Sequence, residues 1–224
     1  MRRCNDRLVI PLHRGSRDRS KGSISGTLIC LVAVALFALG CGTSGTNRPN
    51  QTETRDEFGF TIVEDVRIGV GVRSNFEEAL TALNGEDYPR GIELLEEVAE
   101  DVPNSTTVHI NLSIAYALAD DLEQAESSID RALELNPRHP AAHNQRGVLH
   151  RRSGRFDAAK KSYEKALSLF PDYHVARRNL AILCDLYLED PECALESYET
   201  YLETFPDDPE ASIWIADLRN RLGR

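Results

Sequence analysis

The feature of this sequence that most constrains its fold is a repeat with a period of 34 residues. Prolines close successive units at Pro103, Pro137, Pro171 and Pro206, at intervals of 34, 34 and 35 residues. Within each unit, apolar side chains recur three or four residues apart in two blocks, which is the pattern of two amphipathic helices. Proline stops the second helix of each unit. Because one helix pair cannot bury its apolar face alone, stacking of neighbouring units supplies the core.

The residues around these prolines resemble the tetratricopeptide-repeat (TPR) family. Small residues, and aromatic or apolar residues, recur at fixed places: Gly91, Ala125 and Ala159, and Tyr88, Leu122 and Phe156. The resemblance implies an all-α solenoid of four helix pairs that stack side by side. The expected units are 72–105, 106–139, 140–173 and 174–208, followed by a capping helix at 209–224.

The N-terminus is typical of an export signal. Seven Lys and Arg residues precede an apolar run at 27–39, which is too short to span a bilayer as a helix. The run ends in Ala-Leu-Gly followed by Cys41, which resembles the lipobox of bacterial lipoproteins. The resemblance implies a signal peptide at 1–40 and a lipid on Cys41, and because Gly42 follows in place of Asp, an outer-membrane location facing the periplasm. An ordinary cleaved signal and an uncleaved anchor helix are the alternatives.

A polar stretch joins Cys41 to the repeats. Residues 42–57 contain no large apolar side chain, so they cannot bury enough surface to offset the entropy of ordering the chain. We therefore expect a flexible tether over 41–58 that holds the folded domain off the membrane.

Residues 59–73 differ from the rest because their apolar residues alternate with polar residues and glycine. This alternation predicts an extended leader or a strand, with a short helix as the alternative. A strand would add to the sheet edge of a partner, and a leader would pack along the first repeat. Ser74 and Glu77 have the spacing of a capping box, so we expect the first repeat helix to begin there.

Charge divides the chain into a basic N-terminal segment and an acidic body. Residues 1–40 carry seven Lys/Arg and two Asp/Glu, a net charge of +5, whereas residues 41–224 carry 19 and 34, a net charge of −15. An acidic body argues against nucleic-acid binding, which requires cations to replace phosphate counterions. It also argues against adhesion to anionic lipid through a polybasic surface.

No motif for catalysis or for a cofactor occurs in the sequence. It lacks a phosphate-binding loop, a Cys-x-x-Cys pair, a zinc-protease helix and a nucleophile elbow. His139, His143 and His150 belong to packing faces and do not have the spacing of a metal site. We therefore expect no catalytic residues, no metal and no cofactor, and hence a protein that is not an enzyme.

Cys184 and Cys193 are predicted to form a disulfide. The TPR resemblance places their two positions on facing helices of the fourth repeat, and an exported protein meets an oxidising compartment. Two buried free thiols are the alternative.

Three amide side chains recur at intervals of 34 on the first helices, at Asn111, Gln145 and Asn179. The TPR resemblance implies that these helices form a concave groove, and the row resembles the asparagines with which a superhelical TPR domain grips a peptide backbone. An amide suits this role because it offers both a donor and an acceptor. With Asn144 they form the predicted contact row for a partner, and a merely solvated row is the alternative.

The net charge of each repeat indicates which part of the groove would bind the partner. The four units have net charges of −7, −4, +4 and −7, so only the third is basic. Arg151, Arg152 and Arg178 are expected near the groove, where they would attract an acidic peptide segment. Apolar residues are expected to line the remainder: Ile110, Ile114, Leu118, Val148 and Ile182.

These features predict a membrane-anchored periplasmic TPR lipoprotein that binds another protein or peptide in its groove. Envelope assembly or transport is the expected setting. The alternatives are a structural lipoprotein that assembles with copies of itself and a regulatory subunit of an envelope enzyme.

Overall fold

The computed structural model describes residues 52–55, 61–64 and 69–224. The signal peptide, Cys41 and most of the expected tether lie outside the described residues. The described chain forms two short strands followed by nine helices: β1 Thr52–Arg55, β2 Thr61–Glu64, α1 Val70–Asn84, α2 Tyr88–Asp101, α3 Thr106–Leu118, α4 Leu122–Leu135, α5 Pro140–Arg152, α6 Phe156–Leu169, α7 His174–Leu186, α8 Pro191–Thr204 and α9 Pro209–Leu222. Among the described helices, none is long and apolar enough to cross a membrane.

The two strands pair with each other ahead of the solenoid. They run antiparallel, with Thr52 opposite Glu64. β1 therefore lies in the stretch expected to be a tether, and β2 lies in the expected leader. The leader does not stay extended up to Val72, because α1 already begins at Val70 with Gly69 as its N-cap and no side-chain cap. The expected start of α1 at a Ser74 capping box is wrong, and the upstream extension lets Val72 pack against the core of the first repeat.

The nine helices stack in the order of the sequence. α1 packs on α2, α3 on α4, α5 on α6, and α7 on α8, and each second helix also packs on the first helix of the next pair. α9 covers the end of the stack by packing on α8. The predicted all-α solenoid of four helix pairs with a capping helix is thus confirmed.

Each helix pair turns through a short loop that contains one left-handed residue. These residues are Glu86, Asp120, Gly154 and Glu189, with φ between 52° and 72°. An aspartate then caps the second helix in three of the four pairs, namely Asp87, Asp121 and Asp190. The carboxylate accepts a backbone N–H that has no partner within the helix. The fourth loop, between α7 and α8, is one residue longer than each of the other three.

Close approach of the paired helices depends on small residues. In the third pair, a Cβ on Gly147 would come within 2.4 Å of the ring of Tyr163. Tyr163 is fully buried. In the first pair, a Cβ on Gly91 would come within 2.5 Å of Leu83. The glycines therefore set the helix spacing, because the large partner occupies the space that any side chain would need.

Each joint between two repeats contains a hydrogen bond of the same kind. His109 donates from Nε2 to the carbonyl of Pro103 at 2.9 Å, and His143 donates in the same way to Pro137 at 2.9 Å. Arg177 donates to Pro171 at 3.1 Å. In all three cases the donor lies six residues after the proline. Each bond thus satisfies a backbone carbonyl in the turn between two helix pairs.

A disulfide joins the two helices of the fourth pair. Cys184 on α7 is bonded to Cys193 on α8, and their Cα atoms are 5.9 Å apart. Cys184 is fully buried and Cys193 is half-buried. The bond closes a loop with a sequence separation of nine, across the lengthened turn.

We expect reduction of this disulfide to lower the free energy of unfolding by about 2–3 kcal/mol, from the loop-closure entropy of about ten residues. Urea unfolding with and without a thiol reductant measures the difference. A Cys184→Ala/Cys193→Ala variant supplies the control, because its unfolding should not respond to reductant. Equal midpoints for the untreated and reduced wild-type protein would contradict the bond.

Candidate protein-binding surface

The first helices of the repeats contact one another directly along the inner side of the stack. α3 contacts α5, and α5 contacts α7. The apolar residues expected to line an open groove are buried in the solenoid core, apart from the half-buried Leu118: Ile110, Ile114, Val148 and Ile182. They therefore contribute to stability in this structure and do not form an exposed apolar lining.

The amide side chains of the predicted row bond to other residues of the solenoid. Asn111 is fully buried and donates to the carbonyl of Thr107 at 2.9 Å. Gln145 donates to the Ser113 hydroxyl at 3.3 Å, which joins α5 to α3. Each of these amides thus has a hydrogen-bond partner within the solenoid.

The last members of the row bond to each other. Asn179 donates to the side-chain oxygen of Asn144 at 2.9 Å, which joins α7 to α5. Asn144 is buried, whereas Asn179 is half-buried. The expectation of four amides open to a peptide backbone is therefore corrected, because Asn111 bonds within α3, whereas Gln145, Asn144 and Asn179 join successive first helices.

The three arginines predicted to attract an acidic partner also contact the solenoid. Arg152 on α5 donates to the carbonyl of Ala117 and forms an ion pair of 2.8 Å with Asp120. The Arg151 guanidinium lies 5.8 Å from the centre of the Tyr187 ring, and the residue is buried. Both arginines thus connect the third repeat to its neighbours.

Arg178 makes the equivalent connection to the capping helix. It pairs with Glu210 at 3.3 Å, and its guanidinium lies 5.3 Å from the centre of the Trp214 ring. Each of the three arginines therefore has a carboxylate or an aromatic ring as its partner about one repeat away. Sequence counting could not reveal these partners, because each lies 32 to 36 positions along the chain.

Two open crevices on the outer side have the same construction. The first, of about 500 Å³, lies between α2 and α4 above α3. The second, of about 450 Å³, lies between α8 and α9. The lining residues are Glu96, Ala99, Glu100, Leu112, Tyr116, Gln124 and Ser128 in the first, and Glu199, Leu202, Glu203, Ser212, Ile215 and Arg219 in the second. Each crevice combines an apolar floor with an acidic wall.

A hydrogen bond between two lining side chains lies at the equivalent position in both crevices. In the first, Tyr116 donates to Glu96, and in the second, Arg219 donates to Glu199 at 2.7 Å. Donor and acceptor are 20 residues apart in each case. Burial, followed by the Glu96 hydrogen bond, raises the pKa of Tyr116, so its phenol keeps the proton that it donates. The sequence pattern did not mark these glutamates as part of a site, and the spacing of 20 from each glutamate to its donor is the signal that relates the two crevices.

The histidines have structural roles in the described chain. His139 is the N-cap of α5, where its Nδ1 accepts the N–H of Ala142. Burial lowers the pKa of His139 to about 3 and that of His174 to about 4, so both rings are neutral near pH 7. Arg146 donates to Nδ1 of His143, whose Nε2 is already donating to Pro137. Each neutral ring therefore takes part in packing or capping.

Comparison with family models identifies the repeats. Residues 82–147 and residues 140–173 match two models described as tetratricopeptide repeat. Among solved structures, a thermophilic TPR protein of Thermus thermophilus is 27% identical, with a TM-score of 0.60. The match covers 66% of this chain and 80% of that one.

Two relatives with known names extend the comparison. The type IV pilus assembly protein PilF of Pseudomonas aeruginosa is 25% identical over 199 residues, which are 88% of this chain and 73% of PilF. A solved PilF structure has a TM-score of 0.61 over 67% of this chain and 68% of that one, at 20% identity. A protein O-mannosyl-transferase of Caenorhabditis elegans is 29% identical over 115 residues, which are 51% of this chain but only 15% of the transferase. Residues 82–173 therefore match tetratricopeptide repeats, and the described helices have the fold of a TPR solenoid.

Proposed function

We propose that this protein is a non-catalytic scaffold that binds partner proteins through the outer side of its TPR solenoid. The observation that carries the proposal is the pair of equivalent crevices, each with an acidic wall and an apolar floor. TPR solenoids serve protein–protein interaction, and a crevice lined by a few polar groups around apolar floor residues suits a protruding side chain. The name of PilF, a pilus assembly protein, supports a role in assembly.

Charge favours a partner segment with basic and apolar side chains. Residues 41–224 have a net charge of −15, and four glutamates line the two crevices. The arginines that would have attracted an acidic segment are paired within the solenoid. We therefore replace the expected acidic ligand by a basic one, because opposite charge at the rim speeds association and selects the partner.

A photo-crosslinking amino acid tests the proposed surface. Placed at Ser128 or Ser212, it reports contacts in the first and second crevice, and placed at the exposed Ser168 on α6 it serves as the matched control. We expect partner adducts in cells from the two crevice positions and none from Ser168. Adducts of equal yield from all three positions would contradict the proposed surface.

A charge-reversal variant provides the second arm. Glu100→Lys/Glu203→Lys should lose the adducts, while Glu164→Lys/Glu192→Lys, with the same change in net charge on exposed residues outside the crevices, should keep them. An Arg152→Gln/Arg178→Gln variant addresses the groove. Loss of the partner adducts in this variant alone would contradict the crevices and show that the groove residues bind the partner.

We further propose that the scaffold is anchored in a bacterial cell envelope by a lipid on Cys41. The support is the sequence: a basic start, an apolar run of signal-peptide length, and a cysteine that follows a small residue. Labelling of growing cells with a fatty-acid analogue should mark the wild-type protein and not a Cys41→Ser variant, and fractionation should place the lipidated form in the outer membrane. Light scattering of the region from residue 58 onward distinguishes a monomeric scaffold from the self-assembling alternative.

A further inference from the structure

The end of α7 and the start of α8 bring three metal-ligand side chains together. The sulfur atoms of Cys184 and Cys193 and a carboxylate oxygen of Asp190 all lie within 4.8 Å of one another. Of the residues that the structure describes, no other group of three His, Cys, Asp or Glu side chains is this close. The cluster lies outside both crevices, and the proposed function does not use it.

The fold holds each of the three groups in place. Cys184 is fully buried near the last turn of α7. Asp190 is the N-cap of α8 and accepts the N–H of Cys193 at 3.0 Å. Cys193 is the third residue of α8, and a thiolate at the N-terminal end of a helix is stabilised by the unpaired N–H groups there. The site would therefore exist before any ion arrives.

The donor set suits one class of ion. Two thiolates and one carboxylate are ligands that zinc accepts, at about 2.3 Å for sulfur and about 2.0–2.2 Å for oxygen. Neighbouring ligands of a tetrahedral ion at these distances are about 3–4 Å apart, so the three groups need to move only slightly after the sulfur–sulfur bond opens. Calcium and magnesium prefer sites made entirely of oxygen atoms.

We propose that the Cys184–Cys193 pair is a redox-controlled metal site, which binds a zinc-class cation together with Asp190 when the disulfide is reduced. A dithiol reductant delivers two electrons and two protons, so that the disulfide becomes two thiols and the reductant becomes a cyclic disulfide. The cation then displaces the two thiol protons on binding. Three protein ligands leave a fourth position for water.

The proposal gives the fourth repeat a cross-link in both oxidation states. The disulfide joins α7 to α8 under oxidising conditions, and the ion joins the same two helices under reducing conditions. The two states exclude each other, because they use the same sulfur atoms. The sequence predicts no metal site, because its histidines do not have the spacing of one and its two cysteines indicate a disulfide or buried free thiols.

Lys160 provides a test of Asp190 as a metal ligand. Its ammonium group lies 3.6 Å from the second carboxylate oxygen of Asp190. This cation competes with a metal ion for that carboxylate, so Lys160→Gln should strengthen metal binding by a few fold. Asp190→Asn should weaken it by ten-fold or more, while the asparagine still caps α8. Asp172→Asn, on an exposed residue outside the cluster, is the matched control.

The test uses the purified full chain and cobalt as the probe. The protein is reduced, freed of reductant under argon and titrated with Co²⁺, and absorbance is followed. We expect a thiolate-to-cobalt charge-transfer band that saturates at one ion per chain and disappears when Zn²⁺ is added. The oxidised protein and a reduced Cys184→Ser variant should give no band. A Cys4→Ser/Cys30→Ser/Cys41→Ser variant should keep it, which separates the site from the other cysteines of the chain.

A second readout does not depend on the spectrum. Zinc should raise the Tm of the reduced wild-type protein and leave that of the oxidised protein unchanged, since an ion that binds only the folded state stabilises it. Absence of the cobalt band in the reduced wild type, or an undiminished band in Cys184→Ser, would overturn the proposal. Equal affinities for wild type, Asp190→Asn and Lys160→Gln would remove Asp190 as a ligand and so overturn the three-donor site.

Discussion

A Gly147→Val substitution should lower the free energy of unfolding by about 3 kcal/mol or more, the upper end of what overpacking a core costs. The first added carbon would lie 2.4 Å from the Tyr163 ring, well inside contact distance. The ring is rigid and fully buried, so it can yield only by pushing α6 away from α5. Urea unfolding followed by helical circular dichroism measures the loss.

Two comparisons separate this clash from a general effect of valine. Gly71, in the first turn of α1, has open space where its Cβ would be, so Gly71→Val should change stability by only about 0.5 kcal/mol. In a Tyr163→Leu background, Gly147→Val should cost less than in the wild type, because the ring that it strikes is gone. Equal costs in both backgrounds would show that Tyr163 does not set the helix spacing.

Acid should destabilise the solenoid through His139 once the pH falls below about 6.5. Burial keeps the pKa of His139 at about 3 in the folded state, with a minor contribution from His143, whereas an unfolded histidine titrates near pH 6.5. The unfolded state therefore binds more protons between these values. Stability is complete above about pH 6.5 and falls as the pH drops from about 6.5 towards 3, by about 2–3 kcal/mol at about pH 4.5 from this residue.

A His139→Ser variant isolates this contribution. Serine is the residue that caps α3 at the equivalent place, where Ser105 accepts the N–H of Val108, so the variant keeps a cap and loses the titration. Chemical unfolding of both proteins at about pH 7 and about pH 4.5 should show the smaller acid loss in the variant. Burial also lowers the pKa values of His143, His150 and His174, so some acid sensitivity remains. Parallel pH profiles for the two proteins would contradict the role of His139.

The fold was predictable because its determinants are local and recur. The prolines end the second helices, and the glycines Gly91 and Gly147 lie where the paired helix leaves no room for a side chain. What failed was the start of α1, because Val72 packs on the first repeat and extends the helix beyond the residues that the capping rule selected. Tertiary burial there outweighed a local signal.

The candidate site was less predictable because its contacts join different repeats. Arg152 and Arg178 were counted as positive charge available to a partner, yet Asp120 and Glu210 neutralise them from 32 residues away. Net charge per repeat does not contain this pairing. The amides were similarly placed on the correct helices by their interval of 34, but the interval cannot say whether a side chain faces solvent or the neighbouring helix.

The bond between each joint's proline and the side chain six residues later has an evolutionary consequence. A 34-residue segment such as 106–139 contains both the proline that ends its own second helix and the His109 that secures the joint before it. A duplicated segment would thus contain the side chain that bonds to the proline carbonyl of the repeat before it. Duplication of such a segment by unequal recombination would lengthen the solenoid without a new substitution at the joint. The number of repeats is therefore a property that duplication can change easily.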